Sequence, residues 1–103
     1  MVVRVAEPGR PAFQLRPGEE GLSVFDPDAV APPLTEAEIL ASFRPESRAV
    51  PRTVAEIAVK GLIVVPIPGA DPLPGRLRDA HAEIRPGPGM TRPGFKQALK
   101  ELE

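Results

Sequence analysis

Fifteen prolines in a chain of 103 residues constrain this fold more than any other feature, because each lacks a backbone donor and fixes its own φ. Together with nine glycines they fall between short apolar runs, in "EPGRP" (7–11), "PGEEG" (17–21), "DPDAVAPP" (26–33) and "PGPGM" (86–90). Proline plus glycine at this level approaches the range of disordered chains. The apolar fraction is nevertheless 42%, and the aliphatic residues are grouped. The expectation is one folded, loop-rich domain over residues 1–103, with a thin core and prolines that lower the entropy of the unfolded chain.

Charge and residue usage exclude several classes. The 13 basic and 14 acidic residues are interspersed, and the net charge is −1. No Lys/Arg block tracks a phosphate backbone, so there is no strong nucleic-acid signal. The absence of cysteine removes a disulfide framework and any thiolate site, and a single histidine argues against zinc. The longest apolar run, "GLIVVPIPGA", is too short to span a bilayer, and no basic segment precedes an apolar one at the N-terminus. A soluble, cytoplasmic chain without a metal is expected.

The local patterns read as α+β, in a split sheet of short antiparallel strands with two to three helices. Strands are expected at "VVRVA" (2–6), "AFQLR" (12–16), "LSVF" (22–25), "LIVVPI" (62–67) and "AHAEIR" (80–85). In 12–16, Phe13 and Leu15 share one face, and Gln14 and Arg16 the other; in 80–85, Ala80, Ala82 and Ile84 oppose His81, Glu83 and Arg85. "LIVVPI" is the most apolar run and reads as a core strand, with Pro66 at an edge or bulge. Thr35 with Glu38 makes a capping box, Leu34 with Ile39 a hydrophobic staple, and the helix should reach Phe43 or Arg44 before Pro45. Thr53, Glu56 and Gly61 bracket a second helix that also suits a strand, and residues 68–79 read as a long loop. A C-terminal helix carries Phe95, Ala98, Leu99 and Leu102 on one stripe.

Four polar residues stand out by placement. Arg16 precedes a Gly-rich turn, Ser23 follows Gly21 at the start of a strand, and His81 shares a strand face with Glu83. Each also has a plain structural reading: a solvated arginine, a turn hydroxyl bonding its own backbone, a packed histidine and a surface carboxylate in a cross-strand pair. Glu38 and Glu56 are accounted for as cap partners, and Asp26, Asp28 and Asp71 as turn formers beside proline. Neither a nucleophile elbow, a P-loop nor a dinucleotide fingerprint is present.

The blocks "GLSVFD" (21–26) and "HAEIRPGPGM" (81–90), separated by "GLIVVPIPGADPLP" (61–74) and followed by a terminal helix, resemble the ADP-ribosyltransferase-like bacterial toxins delivered by type VI secretion. That resemblance implies an ADP-ribosyltransferase-like split sheet and glycosyltransferase chemistry, with NAD as substrate and a macromolecular acceptor that it does not identify. Catalytic roles fall on Arg16, Ser23 and His81, to which Glu83 is added from its place on the His81 strand face rather than from the resemblance, and NAD contacts fall on Arg16, Gly21, Ser23 and His81. Arg16 would hold the pyrophosphate, with Arg4 as the alternative; Ser23 and His81 would hold the ribose; Glu83 would stabilise developing positive charge. Gly21 would let the backbone approach the ligand. An antitoxin or immunity protein is the implied partner. Two other readings stay open: a non-catalytic protein-binding module docking through Phe95, Leu99 and Leu102, and an RNA 2′-phosphotransferase-like enzyme.

Overall fold

A computed structural model describes residues 1–69 and 73–103. Five strands form one antiparallel sheet in the order β3-β1-β2-β5-β4. They are β1 (Val2–Ala6), β2 (Leu22–Phe25), β3 (Arg48–Arg52), β4 (Leu62–Pro66) and β5 (His81–Pro86). Four α-helices accompany them among the described residues: α1 (Glu36–Leu40), α2 (Val54–Val59), α3 (Gly75–Ala80) and α4 (Arg92–Lys100). The class is α+β as expected, with more helices than the two or three anticipated.

Both faces of the sheet are used, and strand alternation sorts the side chains between them. Val2, Ala6, Leu22, Val24, Ala82, Ile84 and Leu62 meet Ile57 of α2 and Phe95, Ala98 and Leu99 of α4 on one face. Val3, Val5 and Phe25 meet Leu34, Ile39, Leu77 and Ala80 on the other. The second cluster covers only the β1 side of its face. Beyond Phe25 and His81 that face carries Ser23, Glu83, Arg85, Val65 and Ile63, by the registers Ser23↔Glu83, Val65↔Glu83 and Ile63↔Arg85.

The two capping boxes form as read. Thr35 accepts from the Glu38 N–H and Thr53 from the Glu56 N–H, and each glutamate returns a bond from the cap N–H. Leu34 and Ile39 of the staple are both buried, and Gly61 ends α2 at φ +78°. Asp26 caps a single 3-10 turn at Pro27–Ala29. Asp71 lies outside the described residues.

Several expectations are corrected. The expected split into two sheets is not observed; β1 and β2 belong to one sheet but are joined by a single registered pair, Val3↔Phe25. Residues 12–16 make no strand, although Phe13 and Leu15 are buried and Gln14 and Arg16 exposed as the alternation requires. The reason is that side chains take the backbone groups a ladder would need. The Glu103 carboxylate accepts from the N–H groups of Ala12 (3.0 Å) and Phe13 (2.6 Å), and Arg4 donates to the Ala12 carbonyl.

Helix α1 ends at Leu40, short of Phe43, and the Phe43 ring instead packs edge-on against Phe25 at 5.9 Å. Arg48–Arg52 is an unanticipated edge strand whose Ala49 and Val50 are only half-buried. β4 is the opposite edge rather than a core strand. Helix α3 occupies 75–80 of the supposed loop and takes Ala80 out of the last strand.

The turn after β5 returns against the turn before β4. A Cβ on the buried Gly87 would stand 2.1 Å from the Gly61 carbonyl oxygen, and the obstacle is backbone. Gly87→Ala is therefore expected to destabilise the fold by about 3 kcal/mol, measured as a lower urea midpoint at unchanged slope. Folding also has a defined acid sensitivity. The cap bonds from Thr35 and Thr53 hold Glu38 and Glu56 below the usual carboxylate range. A depressed folded pKa contributes stability above the unfolded value and loses it as pH falls through the folded one. Helicity from α1 and α2 should therefore decline below about pH 4.3, and Glu38→Gln with Glu56→Gln should flatten that part of a circular-dichroism titration.

Candidate functional site

β2 and β5 are central strands, each buried on its apolar side by Leu22, Val24, Ala82 and Ile84. Their register, Ser23↔Glu83 and Phe25↔His81, puts the alternate residues on the opposite face as one group. His81 is 7% exposed, the only polar residue in the buried set among the described residues. Its ring packs edge-on against Phe25, with centroids 5.8 Å apart.

The hydrogen bonds of His81 fix its tautomer. Nδ1 lies 3.1 Å from the Ile67 carbonyl oxygen, which can only accept, so Nδ1 carries the proton and donates it. In the neutral imidazole Nε2 is then the acceptor, and it takes a hydrogen bond from the Ser23 hydroxyl across 3.2 Å. Fifty-eight residues separate the two in sequence. The Ser23 oxygen keeps its lone pairs for another donor.

Glu83 stands beside Ser23, with its side chain 21% exposed. Arg85, two residues on along the same face, donates from Nε (3.0 Å) and Nη2 (2.8 Å) to one oxygen, Oε1. Oε2 accepts no hydrogen bond among the described residues. Gly21 leaves the space that this carboxylate fills, since a Cβ there would lie 2.6 Å from Glu83 Oε1. The group that comes close to the Gly21 backbone in this structure is the Glu83 carboxylate.

From the opposite face of the sheet, Arg4 holds the Ser23 backbone. Its Nη1 donates to the Ser23 carbonyl at 2.9 Å, and Nε to the Ala12 carbonyl at 2.8 Å. Burial pushes the Arg4 guanidinium down from its ordinary value, and the Glu19 charge partly offsets this.

Arg16 is not brought to the group. It sits in the irregular segment 7–20, exposed, with Nη2 2.6 Å from Glu7 Oε1, while Arg92 of α4 bonds its carbonyl. With Phe13 and Leu15 packed in the α4-side core, that segment covers the other face of the sheet. The expectation for Arg16 depended on a strand at 12–16, and no strand forms there. Arg85, whose side chain lies against Gly21, is the guanidinium bonded to Glu83. The alternation of "HAEIR" was the signal that could have found it; nothing in the sequence marks the Ile67 carbonyl.

The apolar stripe of α4 does not serve as a docking surface. Phe95, Leu99 and Leu102 are buried in the domain's own core. Grooves of about 500 Å³, beside α2 and Leu102, and about 370 Å³, beside Phe13 and Lys96, are lined by none of Ser23, His81 and Glu83. No group of His, Asp and Glu suited to a metal ion occurs among the described residues. No helix among them is long and apolar enough to cross a membrane. Comparisons with protein-family models, with curated proteins and with solved structures find no match.

Gly21→Ala tests the carboxylate's seat. Because the obstacle is the end of a flexible side chain, the fold should survive with a loss of about 1 kcal/mol. Glu83 should leave its place beside Ser23, which a crystal structure or the Arg85 Nε–H chemical shift would detect.

Proposed function

We propose that the chain is an ADP-ribosyltransferase-like toxin domain that consumes NAD and transfers its ADP-ribose to a macromolecular acceptor. One observation carries the reading: the two sequence blocks that resemble that class lie on neighbouring strands, β2 and β5, with Ser23 hydrogen-bonded to His81 and paired to Glu83.

The donors and acceptors of the group suit a ribose with free hydroxyls beside an anionic linkage. Ser23 Oγ, its proton held by His81, can accept from one hydroxyl, and the unoccupied Glu83 Oε2 from another. Arg85 is half-exposed and takes the phosphate contact in place of Arg16. NAD supplies the bond to be broken, between nicotinamide and ribose, with positive charge developing on the sugar.

The protein's part is to fix orientation and to place the Glu83 carboxylate where that charge develops. The Ile67 carbonyl keeps His81 in the tautomer that accepts from Ser23. Arg4 keeps the Ser23 peptide in register from below. An immunity or antitoxin protein is the partner this reading implies.

Purified chain mixed with NAD should release nicotinamide, with faster turnover when cell lysate supplies an acceptor. Glu83→Gln should lower that rate by about a hundredfold or more with little change in NAD affinity. Ser23→Ala and His81→Gln should relieve toxicity in a bacterial host while the far-ultraviolet spectrum stays that of the wild type. Absence of NAD binding at millimolar concentration by calorimetry, or full toxicity in both variants, refutes the proposal.

A further inference from the structure

The two edges of the sheet are built differently. β3 carries Arg48 and Arg52 at its ends and Pro51 between them, and charge and proline are what commonly guard an exposed edge. β4 reads Leu-Ile-Val-Val-Pro, without a charged or polar side chain, in a chain where 26% of residues are charged. Ile63 is 45% exposed, and no strand among the described residues pairs with the outer side of β4.

The ladder shows which backbone groups face outward. Ile67 donates its N–H to the His81 carbonyl at 2.9 Å, continuing the register Val65↔Glu83 and Ile63↔Arg85. Bond-exchanging positions alternate in an antiparallel pair, so Ile63 and Val65, like Ile67, turn their N–H and C=O groups toward β5. Leu62, Val64 and Pro66 present theirs to the free edge. The donor that Pro66 lacks is thus missing on the outer side, where it costs β4 none of its own ladder.

From this outward row we infer that β4 is the seam of a two-fold homodimer, in which two copies join their sheets antiparallel, centred on Val64. With Val64 opposite Val64, the centre exchanges two N–H···O=C bonds, and each Leu62 N–H meets the Pro66 carbonyl of the second copy. The absent proline donors fall at the two ends of the seam. Ile63 lies opposite Val65 of the second copy in the close, non-hydrogen-bonded position, so the exposed isoleucine is covered by a valine. No charge is buried, and at a net charge of −1 long-range repulsion between copies is slight. That symmetric register favours a second copy over a strand from another protein. The two-fold runs perpendicular to the sheet, so both Ser23 faces lie on the same side. Five strand spacings then separate the two serines, about 24 Å.

Sedimentation velocity from micromolar to millimolar protein, with residue-resolved amide exchange, tests the seam. Wild type should sediment as a dimer at the upper concentrations and dissociate on dilution. The Leu62 and Val64 amides should exchange about tenfold more slowly in the concentrated sample. Ile63→Lys, which touches neither core, and Val64→Pro, which removes the outward donor together with some packing on the α4-side core, should both sediment as monomers with native circular dichroism. If Val64→Pro does not fold, Ile63→Lys decides alone. A wild type that stays monomeric, with Leu62 and Val64 exchanging equally fast at both concentrations, overturns the inference and leaves the edge to a strand of different origin. A dimer that persists in Ile63→Lys overturns it as well.

Discussion

The register of β2 against β5 is the constraint on which the rest of this protein depends. Both strands are central, and both of their faces have work to do. Leu22, Val24, Ala82 and Ile84 fill one core, while Phe25, Ser23, His81 and Glu83 make the opposite face. A slip of one residue would exchange those sets, pushing a histidine and a glutamate into an apolar core and exposing four aliphatic side chains. Burial of the aliphatic set therefore also holds the polar set in place. That register brings Ser23 and His81, 58 positions apart, into hydrogen-bond distance.

Around that pair, side chains stand in for missing secondary structure. A chain this rich in proline cannot satisfy its backbone by ladders alone. Glu103 accepts from two successive N–H groups of the irregular segment 7–20, Arg4 and Arg92 donate to its carbonyls, and Arg52 donates to the Leu102 carbonyl. No buried side-chain polar atom among the described residues is left without a partner. Charged side chains thus serve here as backbone partners more than as members of surface ion pairs, which contribute little.

Local signals in the sequence were legible where they rest on short-range chemistry. Both capping boxes, the Gly61 stop, β1, β2 and the His81–Glu83–Arg85 alternation follow from neighbours within four residues. What was not legible depends on distant partners. The segment 12–16 has the alternation of a strand, yet the competing acceptor is Glu103, some ninety positions away. β4 looks like a core strand by hydropathy, and only the sheet order reveals it as an edge. Likewise the strand face shared by His81, Glu83 and Arg85 could be read from the sequence, but that Arg16 and Arg4 lie away from it could not be known until the two faces of the sheet were assigned.

The bond from His81 Nδ1 to the Ile67 carbonyl ties a side-chain proton to the orientation of one peptide plane just past the end of β4. The nitrogen of that plane is Pro68's, whose ring fixes φ and restrains the plane, and Gly69 at positive φ follows. Were the plane to rotate, Nδ1 would lose its acceptor and the imidazole proton could move to Nε2. The Ser23 hydroxyl would then face a donor instead of an acceptor. The hydrogen-bond partner of Ser23 is in this sense set by a main-chain carbonyl just past the end of a strand that Ser23 does not itself pair with.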